Sequence, residues 1–283
     1  MSRARQAFDA LEKGLAGLAE RRPRLALASA AAAGHLRNRL SRRWPSPEQV
    51  RTLFPGLDGW EAERVAWSIG GIEARNRILT GWIRKAGTGP VEPLIRTRDS
   101  FSSLRPPLIL GFFHTGAVQA LGAAIERLPG PVLALRQGLL HPSRPPVRVE
   151  STEGDGQRRA AAFQRALAHL GAGGFVVVAL DIVPGPGLRV PCLGRAIELA
   201  RGPFAMARLT GAPLMPLAAR WRGGEVEIET GDPLAAPPAA APEVWESALA
   251  AAAARWLERY LLGSPAEVGL GLLRALLRTG TAG

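Results

Sequence analysis

The chain has 283 residues, 47% of them hydrophobic, with 33 glycines, an ordinary globular composition able to bury a core in one large domain or two small ones. Its single cysteine, Cys192, excludes an intramolecular disulfide, and no run of about 18 apolar residues is present to span a bilayer. The net charge of +12 is concentrated at the start: residues 1–98 carry 18 Lys and Arg against 9 Asp and Glu. That asymmetry points to a polyanionic partner, whether nucleic acid, an anionic membrane surface or an acidic carrier protein.

The first hundred residues read as helical. Residues 4–20 place Phe8, Leu11, Leu15 and Leu18 on one face, flanked or interrupted by Arg3, Arg5, Lys13 and Arg21. Such a basic amphipathic helix lies on a membrane surface or packs on the domain. The run Leu25–Ala33 is too short and too weakly apolar for a spanning segment. Ser46-Pro47 reads as an N-cap with proline at the first helical position. Asp58-Gly-Trp-Glu61 reads as a capping box opening a helix through Val65, Ile69 and Ile72. Four of the seven tryptophans, Trp44, Trp60, Trp67 and Trp82, fall in this region.

From Leu108 the pattern changes. Strands are predicted at 108–113, 132–135, 175–180, 188–191, 214–221 and 225–229, and helices at 116–128, 157–170, 196–210 and 243–262. Their alternation predicts an α/β fold with a mainly parallel central sheet flanked by helices. Gly138–Gly156 is polar and rich in proline and glycine, and reads as a long functional or mobile loop. Pro233–Pro242 reads as a stiff linker. The organisation expected is a basic helical region (1–100), an α/β core (101–232), and a linker with C-terminal helices packed on that core (233–283).

The residues able to carry chemistry gather at predicted strand ends. His114 follows an apolar run and precedes Thr115-Gly116 and a helix-compatible segment. A histidine at the carboxyl end of a strand in an open α/β sheet stands where such folds bind ligands, and its imidazole can take a proton near neutral pH. Asp181 also follows a strand and reaches the same sheet edge if that strand runs parallel to 108–113. Glu198 is a weaker carboxylate candidate, expected in the helix after Gly194. Arg136 follows strand 132–135, and Arg189 and Arg195 flank a short strand and its turn. No Gly-x-Gly-x-x-Gly or Gly-x4-Gly-Lys loop is present. Ser151 lies outside any Gly-x-Ser-x-Gly elbow, and His35, His141 and His169 have no metal-ligand spacing with one another or with Cys192. No cofactor or metal is therefore expected. No helix-turn-helix, ribonucleoprotein or zinc pattern supports nucleic-acid binding, which rests on charge alone and ranks last.

From about Arg24 to Asp232 the order and spacing of several segments resemble the bacterial lipid A biosynthesis (late) acyltransferase family. They include Arg42-Arg43-Trp44, Phe54-Pro55-Gly56-Leu57-Asp58, Phe113-His114-Thr115-Gly116-Ala117-Val118-Gln119, Val176–Asp181, Pro184–Gly187, Val190–Gly194 and Thr210-Gly-Ala-Pro-Leu-Met-Pro216. The resemblance implies a glycerolipid-acyltransferase-like fold and direct acyl transfer, without a covalent acyl-enzyme, from an acyl carrier protein or coenzyme A thioester to a lipid hydroxyl. It places the chain peripherally at the cytoplasmic face of a bacterial inner membrane, against an anionic surface. His114 takes the family's base position. Where the family has an Asp or Glu five residues on, this chain has Gln119, so Gln119 and Asp181 are expected to orient His114 between them. Arg136 stands where the family has an arginine, and with Arg189, Arg195 and Gly194 it is expected to bind substrate. Residues 264–274 lack the family's usual Trp, His and Arg-Arg residues and keep Pro265 and Glu267. The altered motif also admits a second function: a non-catalytic relative that binds lipid or acyl chains or supports a partner enzyme.

Overall fold

The computed structural model describes Gly14 and residues 22–41, 45–97, 101–136, 147–234 and 241–278. Apart from Gly14, the expected amphipathic helix at 4–20 lies outside them, as do Trp44, His141 and most of the 233–242 linker. None of the described helices is long and apolar enough to cross a membrane.

From residue 22 onward the first helices are α1 (Pro23–Ser41), α2 (Pro47–Leu53) and α3 (Gly59–Ala86). Both predicted starts are capping boxes. Ser46 accepts from the Gln49 N–H, and Asp58 from the Glu61 N–H, while each partner side chain returns to the cap backbone. These contacts satisfy N–H groups that a helix start leaves without partners. α1 crosses α3 closely because the contact is made of glycine. A Cβ on Gly34 would strike the Gly70 carbonyl, and one on Gly70 would strike Asn38. Asn38 uses the approach to donate to the buried Ala66 carbonyl at 2.7 Å.

Among the described residues the central sheet has seven strands, ordered β1-β9-β8-β2-β5-β3-β4. They are β1 (Ile95–Thr97), β2 (Leu108–Phe112), β3 (Val132–Arg136), β4 (Val147–Ser151), β5 (Phe175–Ala179), β8 (Leu214–Arg222) and β9 (Glu225–Thr230). The run β8-β2-β5-β3-β4 is parallel, and β9 turns back antiparallel to β8. Its central strands are apolar on both faces because both faces are covered. Ile109 and Val176 join one core with α5 (Gly156–Gly171), α6 (Arg201–Thr210), α7 (Pro242–Gly263) and α8 (Leu270–Arg278). Leu108, Leu110, Phe175 and Val177 join the other, with α1, the second half of α3 and α4 (Leu121–Ile125). The chain is thus a mixed α/β protein with a mostly parallel sheet between helical layers.

Four local expectations change. The helix predicted at 196–210 begins only at Arg201. Residues 195–199 form β7, which pairs antiparallel with β6 (Leu188–Cys192) in a separate hairpin. The turn is made by Leu193 and Gly194, both at positive φ (52° and 67°), where glycine is at ease and leucine is not. The segment 138–156 contains β4. Its Val-Arg-Val-Glu alternation makes an edge strand, with Glu150 ion-paired to Arg148 and Arg165. The helix predicted over 116–128 is broken into a 3-10 turn (Val118–Ala120) and the short α4. Finally, the first hundred residues are not helix alone, since β1 joins the sheet beside β9.

Candidate functional site

The register of β2 on β5 builds the site. Phe112 stands opposite Ala179, and two residues beyond each lie His114 and Asp181. Parallel strands in register therefore deliver both side chains to the carboxyl edge of the sheet. The Asp181 carboxylate makes two bonds to the same residue: Oδ2 accepts from the His114 backbone N–H at 2.9 Å, and Oδ1 lies 2.8 Å from Nδ1. The aspartate side chain is 5% exposed and the histidine's 36%. A carboxylate only accepts, so it places the ring proton on Nδ1 and leaves Nε2 as the acceptor on the exposed side. Burial pulls the imidazole pKa down and the Arg136 charge adds to that. The Asp181 hydrogen bond and charge outweigh both, so the ring titrates above its ordinary 6.5.

His114 and Asp181 open into a cleft of about 740 Å³. One wall is a single face of α3, since Glu73, Asn76, Arg77, Thr80, Gly81 and Arg84 recur at helical spacing. The other walls are largely apolar, from Val118, Ile182, Ile197, Leu270, Leu272 and Ala275. One part of the cleft can therefore hold an alkyl chain and another a polar or anionic group.

The turn after His114 is clamped from three sides. Gly116 (φ 42°) donates its N–H to the Glu267 carbonyl at 2.8 Å, and Ala117 donates to Ala219 at 2.9 Å. Asn76 of α3 donates to the Gly116 carbonyl at 2.6 Å and accepts from the Trp221 indole at 3.3 Å. A Cβ on Gly116 would strike Glu267 and Ala219, and one on Gly269 would strike the His114 carbonyl. Below the turn the Glu267 side chain accepts from the Trp221 N–H at 3.2 Å. Burial pushes its pKa up to about 8, although that hydrogen bond and Arg75, Arg220 and Arg222 favour the charged form.

The anticipated residues separate into two groups. His114, Asp181 and Gln119 line the cleft, as does Glu198, from strand β7 rather than from a helix. Gln119 makes no hydrogen bond to His114. The orienting role expected of it is filled by Asp181, whose two oxygens already occupy the ring nitrogen and the backbone N–H. Arg136, Arg189, Gly194 and Arg195 do not line the cleft. Arg136 ends β3, exposed, and reaches His114 only through its charge. Arg189 is exposed on the hairpin opposite Glu198, Gly194 sits in its turn, and Arg195 pairs with Cys192 in the ladder. The arginines that do line the cleft, Arg77 and Arg84, were not anticipated, and neither was Asn76. The signal for Asn76 was present: it continues the apolar stripe Val65-Ile69-Ile72 by one helical step, and a polar residue there must meet a buried partner.

No family model matches the chain, and no curated protein matches it. Among solved structures, the chain is similar to the crystal structure of the 1-acyl-sn-glycerophosphate (LPA) acyltransferase PlsC from Thermotoga maritima. The identity is 11% over 84% of this chain and 97% of that one, with a TM-score of 0.35.

Proposed function

We propose that this protein is an acyltransferase that moves a fatty acyl group from a thioester, on acyl carrier protein or coenzyme A, to a hydroxyl of a lysolipid or glycolipid acceptor. The observation that carries the reading is the His114–Asp181 pair, with its Nε2 side open to a cleft that has an apolar wall and a polar wall carrying Arg77, Arg84 and Glu73. In the proposed reaction, Nε2 takes the acceptor hydroxyl proton as the oxygen attacks the thioester carbonyl. Asp181 stabilises the imidazolium. The tetrahedral intermediate then collapses, the C–S bond breaks, and the departing thiolate recovers the proton from His114. No residue is acylated. The acyl chain lies against Val118, Ile197 and Leu272, and anionic groups of donor or acceptor face Arg77 and Arg84.

Attachment to an anionic membrane at the cytoplasmic face of a bacterial inner membrane belongs to the same proposal. Leu25, Leu36 and Leu40 of α1 are exposed along one helical stripe, with Trp60 exposed on α3 and Arg22 and Arg39 exposed nearby. The test is lipid mass spectrometry of a host lacking the gene, complemented with wild type or His114→Ala. An acylated lipid restored by wild type alone supports the reading and names the acceptor. Equal restoration by His114→Ala, at normal protein level, replaces it with lipid binding or support of a partner enzyme.

A further inference from the structure

A thioester under attack places negative charge on its carbonyl oxygen, and a site that accelerates the step needs a donor aimed there. In the turn carrying His114, the backbone N–H groups of residues 114–118 are already taken. The His114 N–H is held by Asp181, Thr115 N–H by the Phe113 carbonyl, Gly116 N–H by Glu267, Ala117 N–H by Ala219 and Val118 N–H by Thr115. On the facing wall, the Asn76 amide donates to the Gly116 carbonyl and the Thr80 hydroxyl to the Asn76 carbonyl. Gln119 differs from all of these. It lines the same cleft as His114, it is only partly buried, and its side chain makes no hydrogen bond among the described residues. Its backbone is fixed: the Ala120 N–H is tied to Ala117 and the Leu121 N–H to Val118, with Ala120 and Leu121 buried on the opposite side.

We propose that the Gln119 side-chain amide is a catalytic oxyanion donor, its Nε2–H bonding the thioester carbonyl oxygen as the tetrahedral intermediate forms. The inference rests on the acyl-transfer reading above and assigns a part of it that His114 and Asp181 leave open. It also gives the amide at this position a reason. With Asp181 already on Nδ1, a second carboxylate in the cleft has no imidazole nitrogen to orient and stands beside a developing anion. Glutamine has nearly the same shape and brings a donor without charge.

The two roles give opposite results for one substitution. If residue 119 served the imidazole, Gln119→Glu would preserve or raise activity. As an oxyanion donor, Gln119→Glu loses it. The experiment measures thiol release from palmitoyl-CoA by the purified full chain, with total lipid extract of the host as acceptor. Gln119→Met, which keeps the length and removes the donor, is expected to lower kcat about 10²–10³-fold with little change in KM, because the bond strengthens only in the transition state. Gln119→Glu is expected to fall at least as far at pH 8. Thermal unfolding should be unchanged in both, since the side chain holds nothing in the fold. Wild-type kcat in either variant, with His114→Ala inactive, overturns this inference and leaves the acyl-transfer reading standing. Wild-type thiol release by His114→Ala overturns the reading beneath it.

Discussion

Replacing Asp181 with asparagine changes one atom at a site where both oxygens are committed. Oδ2 accepts from a backbone N–H, which is always a donor, and Oδ1 faces Nδ1 of the His114 ring. The asparagine keeps one oxygen, and the backbone N–H claims it. The new NH₂ group must then face Nδ1, so that nitrogen becomes the acceptor and the ring proton moves to Nε2. An imidazole in that tautomer cannot take the acceptor's proton. The comparable Asp-to-Asn change in a Ser-His-Asp triad lowers kcat about 10⁴-fold, largely for this reason. A loss of about 10³–10⁴-fold, or ~4–5.5 kcal/mol of transition-state stabilisation, is expected here, with KM little altered. The pH profile should move as well. Wild-type activity should rise through an acid limb above pH 6.5, because Asp181 holds the ring pKa up. Without that carboxylate, burial first and Arg136 second both act downward, so the residual acid limb shifts to lower pH. The assay is the pH dependence of kcat/KM for thiol release from palmitoyl-CoA. An Asp181→Asn variant within tenfold of wild type, with an unmoved acid limb, refutes the reasoning.

Three further outcomes follow from the same geometry. Gly269→Ala should destabilise the fold by about 1–3 kcal/mol in denaturant unfolding, and reduce activity, because the added methyl is driven into the His114 carbonyl. Burial pushes the Glu267 carboxyl up to about 8 from its ordinary 4.5. Its neutral form is favoured by the fold, so the stability it allows is complete below pH 4.5 and is lost as pH rises toward 8. Glu267→Gln should flatten that slope in urea melts at pH 5, 7 and 9, whereas an unchanged slope would show that the carboxyl does not carry it. Cys192 is buried and its thiol is pushed up to about 12 by burial and by Glu258. It should resist a thiol reagent at pH 8 in the folded chain and react at once in denaturant.

Much of this arrangement is legible in the amino-acid order, and the exceptions have physical causes. β2 and β5 are read from their apolar runs because strands buried on both faces leave no polar interruptions. His114 and Asp181 are found by the same reading, since residues just past the ends of adjacent parallel strands share an edge. β7 escapes because five residues, Arg-Ala-Ile-Glu-Leu, suit a helix as well as a strand, and its turn uses leucine where hairpins favour Asn or Gly. β1 is three residues long, and β4 is an edge strand with polar residues at alternate positions. The arginines show the limit of reading by strand end. Arg136 occupies an expected edge position and stays outside the cleft, while Arg77 and Arg84 reach it from a helix that precedes His114 by 30 residues or more, through packing that no local pattern encodes. Glu267 acts on the turn after His114 from the other end of the chain, a contact that only the tertiary fold creates.

The central claim is that His114 is the base of an acyl transfer, and its most direct measurement is single-turnover acyl transfer from radiolabelled palmitoyl-CoA into host lipid extract by purified wild type and His114→Ala at equal thermal stability. The account predicts labelled lipid product from wild type and a rate at least about 10²–10³-fold lower from the variant, the contribution typical of a positioned general base. Equal product from the two proteins would contradict it.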